Sequence, residues 1–236
     1  MVFEGERESQ ADPWRRLLAD NISEVIGEAA RREIVPEEDA SSFPCDTEGN
    51  VRWTRTVIGR MDELMDEEDR IDVLTRCAHV MLESSIRVLR EIYERNHDVE
   101  ELREFWQEQF IDNLKDWYDP IPQKWLDTVV REHWGQVGTR EENVIIATKI
   151  PENMKGFFEA KDDNERKYHY CHCARIKGTF RMDYIRISPT YCYCGGGYYE
   201  SNWERIIGKP VKVRLLKSVL KGDDVCQFVI CLPEGV

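Results

Sequence analysis

Six of the eight cysteines fall between positions 171 and 231, and four of them stand in two tight clusters. His169-Tyr170-Cys171-His172-Cys173 sets two thiols and two imidazoles within five residues, and Cys192-Tyr193-Cys194 repeats the Cys-X-Cys spacing just before Gly195-Gly196-Gly197. On an extended chain residues i and i+2 point the same way, so His169, Cys171 and Cys173 share a face, as do Cys192 and Cys194, while His172 points opposite. Two such pairs brought together offer four soft ligands, and thiolates about 2.3 Å from a tetrahedral ion suit zinc, with a histidine able to replace one of them. Cys171, Cys173, Cys192 and Cys194 are therefore candidate metal ligands, with His169 and Cys77 as substitutes and zinc as the candidate ion. Four protein ligands make a structural site; three would leave a position for catalysis or sensing. Neither cluster is a Cys-X2-Cys knuckle, and strand sulfurs two residues apart lie roughly 6 to 7 Å apart, so closing a tetrahedron needs a bend that the three glycines supply.

Two other chemistries suit the same residues. Reduced cysteines behave as small buried hydrophobes, and the clusters can simply face a core. A Cys-X-Cys pair can also form a strained disulfide, or hold a thiolate activated by a cation such as His169 or Arg175. In a hydrolase reading, Cys171 or Cys194 attacks a carbonyl or imine carbon, or zinc activates water, with His169 or His172 as base. No Ser-His-Asp spacing and no His-Glu-X-X-His motif is present, and Gly195 to Gly197 lacks the Lys-Ser/Thr of a phosphate loop and reads as a turn.

The elements that must position these groups come from a chain of 236 residues, 41% hydrophobic and 33% charged, which is a globular composition able to bury a sizeable core. Its longest apolar runs, such as Val144 to Ala147, are too short to span a bilayer. The first twelve residues carry Glu4, Glu6 and Glu8 and no basic-then-apolar export signal, so a cytoplasmic location with mostly reduced cysteines is expected. The net charge of -13 divides unevenly: residues 1–140 hold 18 Lys and Arg against 33 Asp and Glu, residues 141–236 hold 15 against 13. A surface this acidic with no basic patch excludes general nucleic-acid binding.

The charge boundary coincides with a change of pattern. Asp12 as N-cap and Pro13 open a helix through Leu17, Leu18, Ile22, Val25, Ile26 and Ala29 that ends near Ile34, and Pro36 to Asn50 reads as a loop holding Cys45. Helical spacing recurs from Val57 to Met65 and from Ile71 through Leu89, which places Cys77 and a solvated His79 on a helix. Another helix starts at Asp98 and runs through Leu102, Phe105, Trp106 and Phe110. After about residue 140 the signals are strand-like: Val144 to Ile150 before Pro151, and Tyr168 to Ile176 before Gly178. Asn202 to Ile207 reads as the end of a short helix stopped by Gly208, and Val211 to Leu215 and Val225 to Leu232 form a C-terminal antiparallel hairpin. The expected fold is α+β, one compact unit with a helical region over 1–140 packed on a Cys-rich α+β region over 141–236.

Tyr191 to Gly208, then Pro210 to Ser218 and Gly222-Asp-Asp-Val-Cys226-Gln-Phe228, resembles the 4-vinyl-reductase domain family, small-molecule and often hydrocarbon-binding domains. Gly-Asp-X-X-Cys-X-Phe is the most specific part. Members commonly carry a cysteine eight residues before the last one; here that position is Ser218, so the family's cysteine pair cannot close and Cys226 is left as a buried hairpin residue. The chain is similar, more weakly, to the L-2-amino-thiazoline-4-carboxylic acid hydrolase-like group. The resemblance implies a binding or sensing module for a small apolar or aromatic molecule, and the Cys/His clusters add the expectation of a metal site at one end. Trp106, Trp117, Trp125, Trp134, Tyr198, Tyr199 and Trp203 are candidates for lining its cavity. A third reading takes the acidic run Asp62-Glu63 and Asp66 to Asp69 as a docking face.

Overall fold

The computed structural model describes residues 13–36, 47–118, 120–135, 137–182 and 184–236. Seven helices come first: α1 (Pro13–Ile26), α2 (Glu28–Ile34), α3 (Thr47–Leu64), α4 (Glu67–Arg76), α5 (Glu83–Asn96), α6 (Val99–Trp117) and α7 (Gln123–Arg131). Strands β1 (Thr139–Glu141) and β2 (Val144–Thr148) follow, then α8 (Met154–Glu159), α9 (Asp163–Tyr170), α10 (Tyr193–Ile207), β3 (Lys212–Lys217) and β4 (Gln227–Cys231). The sheet order is β1-β2-β4-β3, antiparallel throughout. The α+β class, the helical first half and the closing hairpin are as expected, but three helices lie beyond residue 140. No helix among the described residues is long and apolar enough to cross a membrane.

Local signals account for several boundaries. Asp98 caps α6 by accepting the Glu100 and Glu101 amides at 2.8 and 3.3 Å, and Asp66 caps α4 by accepting the Asp69 amide at 2.9 Å. The acidic run is therefore largely a helix start: Glu67, Glu68 and Asp69 occupy the first turn of α4, where the helix dipole favours them, and Asp62 pairs with Arg70 at 3.3 Å. The first expected helix is broken in two because Gly27 takes φ +92°, a left-handed conformation that interrupts the helical ladder. Asp12, Cys45 and most of the loop before α3 lie outside the described residues, and Thr47 to Asn50 form the first turn of α3.

Three further expectations fail. The helix from Ile71 to Leu89 is interrupted between Cys77 and Leu82, because distant side chains take over its backbone groups. Trp14 Nε1 donates to the Cys77 carbonyl (3.1 Å), the Met81 amide donates to Asn202 Oδ1 (3.0 Å), and Arg205 Nη1 donates to the Met81 carbonyl (3.2 Å). Cys77 and His79 are thus loop residues. Tyr168 to Ile176 is not a strand: Asp162 caps α9 by accepting the Glu165 amide at 2.8 Å, while Glu165 accepts the Lys161 amide at 2.9 Å, and the chain extends only after Tyr170. Gly195 to Gly197 is not a turn but the first two turns of α10.

One sheet face carries Ile145 and Ala147, Phe228 and Ile230, and Val213 and Leu215, each in register with its neighbour and buried beneath α10. The hydrophobic core runs from Leu18 to Leu232 and so joins both halves of the chain. The edge strand β3 is covered by α10 carboxylates: Glu204 accepts the Val211 amide at 3.0 Å and Glu200 accepts the Val213 amide at 3.1 Å.

The glycines of α10 set how close this packing comes. A Cβ on Gly197 would lie 1.9 Å from the Thr75 carbonyl oxygen at the end of α4, and a Cβ on Gly196 would touch Phe228 and Val213 at 3.4 Å. Helix propensity favours alanine over glycine by about 1 kcal/mol, but forcing a methyl into close-packed backbone costs about 1–3 kcal/mol or more. Gly197→Ala is expected to lower unfolding stability in urea by about 2 kcal/mol net. Gly59→Ala, in α3 with nothing within 4 Å of its Cβ, is expected to raise it by up to about 1 kcal/mol. Equal effects of the two substitutions would show that α10 does not need this approach.

Candidate functional site

The end of β2, the start of β4 and the end of α9 are tied together by one phenol. Tyr170, 1% exposed, donates its hydroxyl to the Lys149 carbonyl at 2.5 Å and accepts the Cys226 amide at 3.0 Å. The Lys149 amide in turn donates to the Cys226 carbonyl at 3.0 Å, carrying the β2–β4 ladder one step beyond the strands. Burial pushes the Tyr170 hydroxyl well above the usual phenol range, so it stays protonated and keeps its donor. This places Lys149 at the mouth of the sheet and Cys171 and Cys226 on either side of Tyr170.

Lys149 points across the start of α10. Its Nζ would be 2.9 Å from a Cβ on Gly195 and lies 5.7 Å from the centroid of the Phe228 ring. Among the described residues no carboxylate pairs with this half-buried ammonium. It lines a cavity of about 200 Å³ with His79, His172, Tyr198, Tyr199, Phe110, Trp117, Gly135 and Ile150. His79 stacks at a tilt on Tyr198, 5.4 Å between centroids, and Tyr199 meets Phe228 at 5.2 Å. Phe110 and Trp117 also line a second cavity, of about 340 Å³, formed with Met81, Val88, Leu89 and Trp106 between α5 and α6. The two cavities thus share a wall.

The histidines at this wall are held neutral. His172 Nε2 lies 2.7 Å from the Ile150 carbonyl, which only accepts, so Nε2 carries the proton and Nδ1 is the free acceptor. Both residues keep an exposed edge, but the protein atoms crowded around the ring, then the charge of Lys149, push His172 down to about 4, and the same two causes lower His79.

The sulfurs crowd the same region without forming a common centre. Cys171 and Cys173 flank His172 on the segment after α9, near enough for each thiol to shift the acidity of the other. Cys192 ends a short 3-10 turn (Pro189–Cys192) and its Sγ lies 3.0 Å from Ser218 Oγ. Cys194, in the first turn of α10, directs its Sγ to the Cys77 carbonyl at 3.5 Å. Cys77 Sγ accepts from Asn21 Nδ2 at 3.3 Å and donates to the Val73 carbonyl at 3.2 Å. Cys192 and Cys194 therefore do not share a strand face, and their sulfurs turn to different partners. His169 stands apart, 3.2 Å from Asn153 Nδ2 and packed over Gly156. Among the described residues no three His, Cys, Asp or Glu side chains are arranged to hold a metal ion. All seven described cysteines are unbridged.

The thiols differ sharply in acidity. Burial pushes Cys77 up to about 12 and Cys194 to about 11, and raises Cys192 and Cys226 also. Cys171 is raised because it donates its proton to Cys173, with burial adding to the effect. Cys173 is lowered to about 6, first by that hydrogen bond and then, against burial, by Lys149, Arg175 and Lys177. Of the two proposed nucleophiles, Cys171 and Cys194, neither is the acidic thiol; that is Cys173. Ser218, where the resembled family carries cysteine, is fully buried and bonded to Cys192, and it caps the turn leading to Cys226 by accepting the Leu220 amide at 3.1 Å.

Of the aromatic candidates, Trp117, Tyr198 and Tyr199 line the smaller cavity and Trp106 the larger. Trp203 packs under Trp106 at 5.7 Å, Trp125 stacks on Phe158 at 5.5 Å, and Trp134 meets Phe157 at 5.7 Å, all three away from both cavities. Sequence reasoning missed Lys149. The available signal was a lysine at the end of an apolar strand directly before Ile150-Pro151, where a solvated charge has little reason to sit.

Residues 141–236 match the model of a family described as a family of unknown function (DUF6144). That segment supplies Lys149, His172, Tyr198, Tyr199 and the two Cys-X-Cys pairs, whereas Cys77, His79, Phe110 and Trp117 come from the preceding helices. No curated protein and no solved structure matches the chain.

The neutral His172 has a measurable signature. Its ring resonances are expected to titrate near pH 4, and a midpoint at the ordinary value of 6.5 would show that the ring is not confined. Because the folded chain binds this proton less readily than the unfolded one, stability is intact above pH 6.5 and falls as the pH drops through that value toward 4. His172→Gln should flatten this part of the stability profile, leaving the smaller contribution of His79.

Proposed function

We propose that the chain is a binding module for a small amphipathic molecule, an aromatic or apolar body bearing an anionic group such as a carboxylate. The observation that carries this reading is the half-buried Lys149 ammonium, which faces a cavity and has no carboxylate partner among the described residues. A cation in a low-dielectric wall attracts an anion far more strongly than one in water. The surrounding groups suit the rest of such a ligand: Tyr198, Trp117 and Phe110 offer aromatic faces, and the neutral His172 adds no competing charge. A cavity of about 200 Å³ is small beside the range of roughly 300–1,000 Å³ usual for ligand sites, so a body larger than one ring would have to displace the exposed Trp117 in the shared wall and reach the adjoining 340 Å³ beside Trp106, Leu89 and Met81.

The anionic naphthalene probe 1-anilinonaphthalene-8-sulfonate tests this on the folded chain. Saturable one-to-one fluorescence enhancement is expected, and Lys149→Met should weaken it about tenfold, or about 1.4 kcal/mol. The neutral analogue N-phenyl-1-naphthylamine should bind the two proteins alike. Circular dichroism and the melting midpoint establish that Lys149→Met remains folded. If both probes bind wild type and variant with one affinity, the ammonium does not select the ligand and the reading falls.

A further inference from the structure

The wall between the two cavities is built from two side chains of α6 that are held very differently. Phe110 and Trp117 stand two helical turns apart on one face of the helix, and each lines both cavities. Phe110 is 5% exposed, and a Cβ on Gly135 would lie 2.8 Å from its Cε1, so its ring is locked between α6 and the segment before β1. Trp117 is 60% exposed, and its indole has no hydrogen-bond or ring partner among the described residues.

The backbone under the indole is fixed. Trp117 is the last residue of α6, and the Tyr118 amide closes the helix by donating to the carbonyl of the fully buried Leu114 at 3.2 Å. The Tyr118 ring then meets Trp125 edge-on at 5.8 Å. The indole can therefore turn aside without the helix moving, and an exposed ring forfeits few contacts when it does so. As it stands, the Lys149 cavity holds about 200 Å³. A cavity of roughly 150 Å³ accommodates benzene, so the space suits one ring with a carboxylate rather than two fused rings. With Phe110 locked, the way into the adjoining 340 Å³ runs past the indole.

We propose that the Lys149 cavity selects carboxylates borne on a single aromatic ring, of benzoate size, and that Trp117 is the specificity-determining side chain that disfavours larger bodies. This rests on the reading of the cavity as a site for an anionic ligand. The carboxylate meets the Lys149 ammonium, and the ring occupies the space bounded by Tyr198, Phe110 and Trp117. A second fused ring has to turn the indole out into water, so the contacts it gains in the larger cavity are offset by those the indole gives up. An unrestricted apolar site rewards a second ring by about tenfold or more, because four further carbons leave water. Here Trp117 cancels that reward.

Isothermal titration calorimetry of the chain with benzoate and with 2-naphthoate tests this. The wild type is expected to bind benzoate at least as tightly as 2-naphthoate, whereas Trp117→Ala should bind 2-naphthoate about tenfold tighter than benzoate, with Trp117→Phe in between. The wild-type comparison needs no variant, so a substitution that fails to fold leaves the test intact. A wild type that favours 2-naphthoate by about tenfold overturns the proposal, and so does a Trp117→Ala chain that keeps the wild-type ratio. Lys149→Met acts on charge instead of size and should weaken both carboxylates about tenfold without changing their ratio. If Trp117→Ala moves the ratio and Lys149→Met weakens neither ligand, the size limit stands and the anion reading falls. If Lys149→Met weakens both and Trp117→Ala leaves the ratio alone, the anion reading stands and the size limit falls. A wild type that binds neither carboxylate overturns both.

Discussion

The arrangement rests on a close approach that only glycine permits. Three consecutive glycines in a helix lose roughly 1 kcal/mol each in helix propensity, so local preference argues against α10 starting where it does. What overrides it is contact: at Gly197 the helix lies against the Thr75 carbonyl, at Gly196 against Phe228 and Val213, and at Gly195 against the Lys149 side chain. Through these three positions α10 touches the last turn of α4, the sheet and the site lysine. Separating α10 from α4 by the width of a methyl group would pull Tyr198 and Tyr199 away from His79 and shift Cys194 off the Cys77 carbonyl. The cavity is thus a by-product of helix packing, and its walls come from segments far apart in the chain.

That dependence explains which parts of the structure could be read in advance. Elements with their own stop and start signals were legible: Asp98 opening α6, Gly208 closing α10 in the left-handed region with φ +68°, and the alternation of Val213 and Leu215 with exposed neighbours in β3. Elements decided by distant partners were not. The break after α4 exists because Trp14, Asn202 and Arg205 take its backbone groups, and no local residue announces it. The Asp162-X-X-Glu165 box, by contrast, is a local signal: it makes the segment before Cys171 helical and turns His169 toward Asn153, so Cys171 and Cys173 are not its strand neighbours. Cys171 and Cys173 both lie after the helix ends, on one non-helical segment. Cys192 and Cys194 do not share a strand face, because a helical path replaces the strand that would have aligned them.

Charge follows the same logic of scarcity. The chain carries an excess of acid overall, yet apart from Glu152, which pairs with Lys177 at 3.2 Å, the groups gathered at this site are cations, thiols and neutral rings. Lys149 raises the cost of protonating His172 and His79, behind desolvation, and lowers that of deprotonating Cys173, so one side chain biases the protonation of three others. The remaining thiols, shielded by burial, stay protonated and serve as packing. Cys173, lowered to about 6, stands apart from these four.

Because Lys149 both lines the cavity and opposes the protonation of His172 and His79, anion binding and proton binding are linked in the proposed module. An anion beside the ammonium offsets the charge that opposes a proton on either ring, and a protonated ring adds a second positive charge to the surroundings of the anion. Linkage makes this reciprocal: by whatever factor the anion raises the proton affinity of the rings, protonation raises affinity for the anion, and couplings between sites are typically about 1–3 kcal/mol. A single lysine placed by the Tyr170 phenol at the end of a strand is sufficient to connect the two.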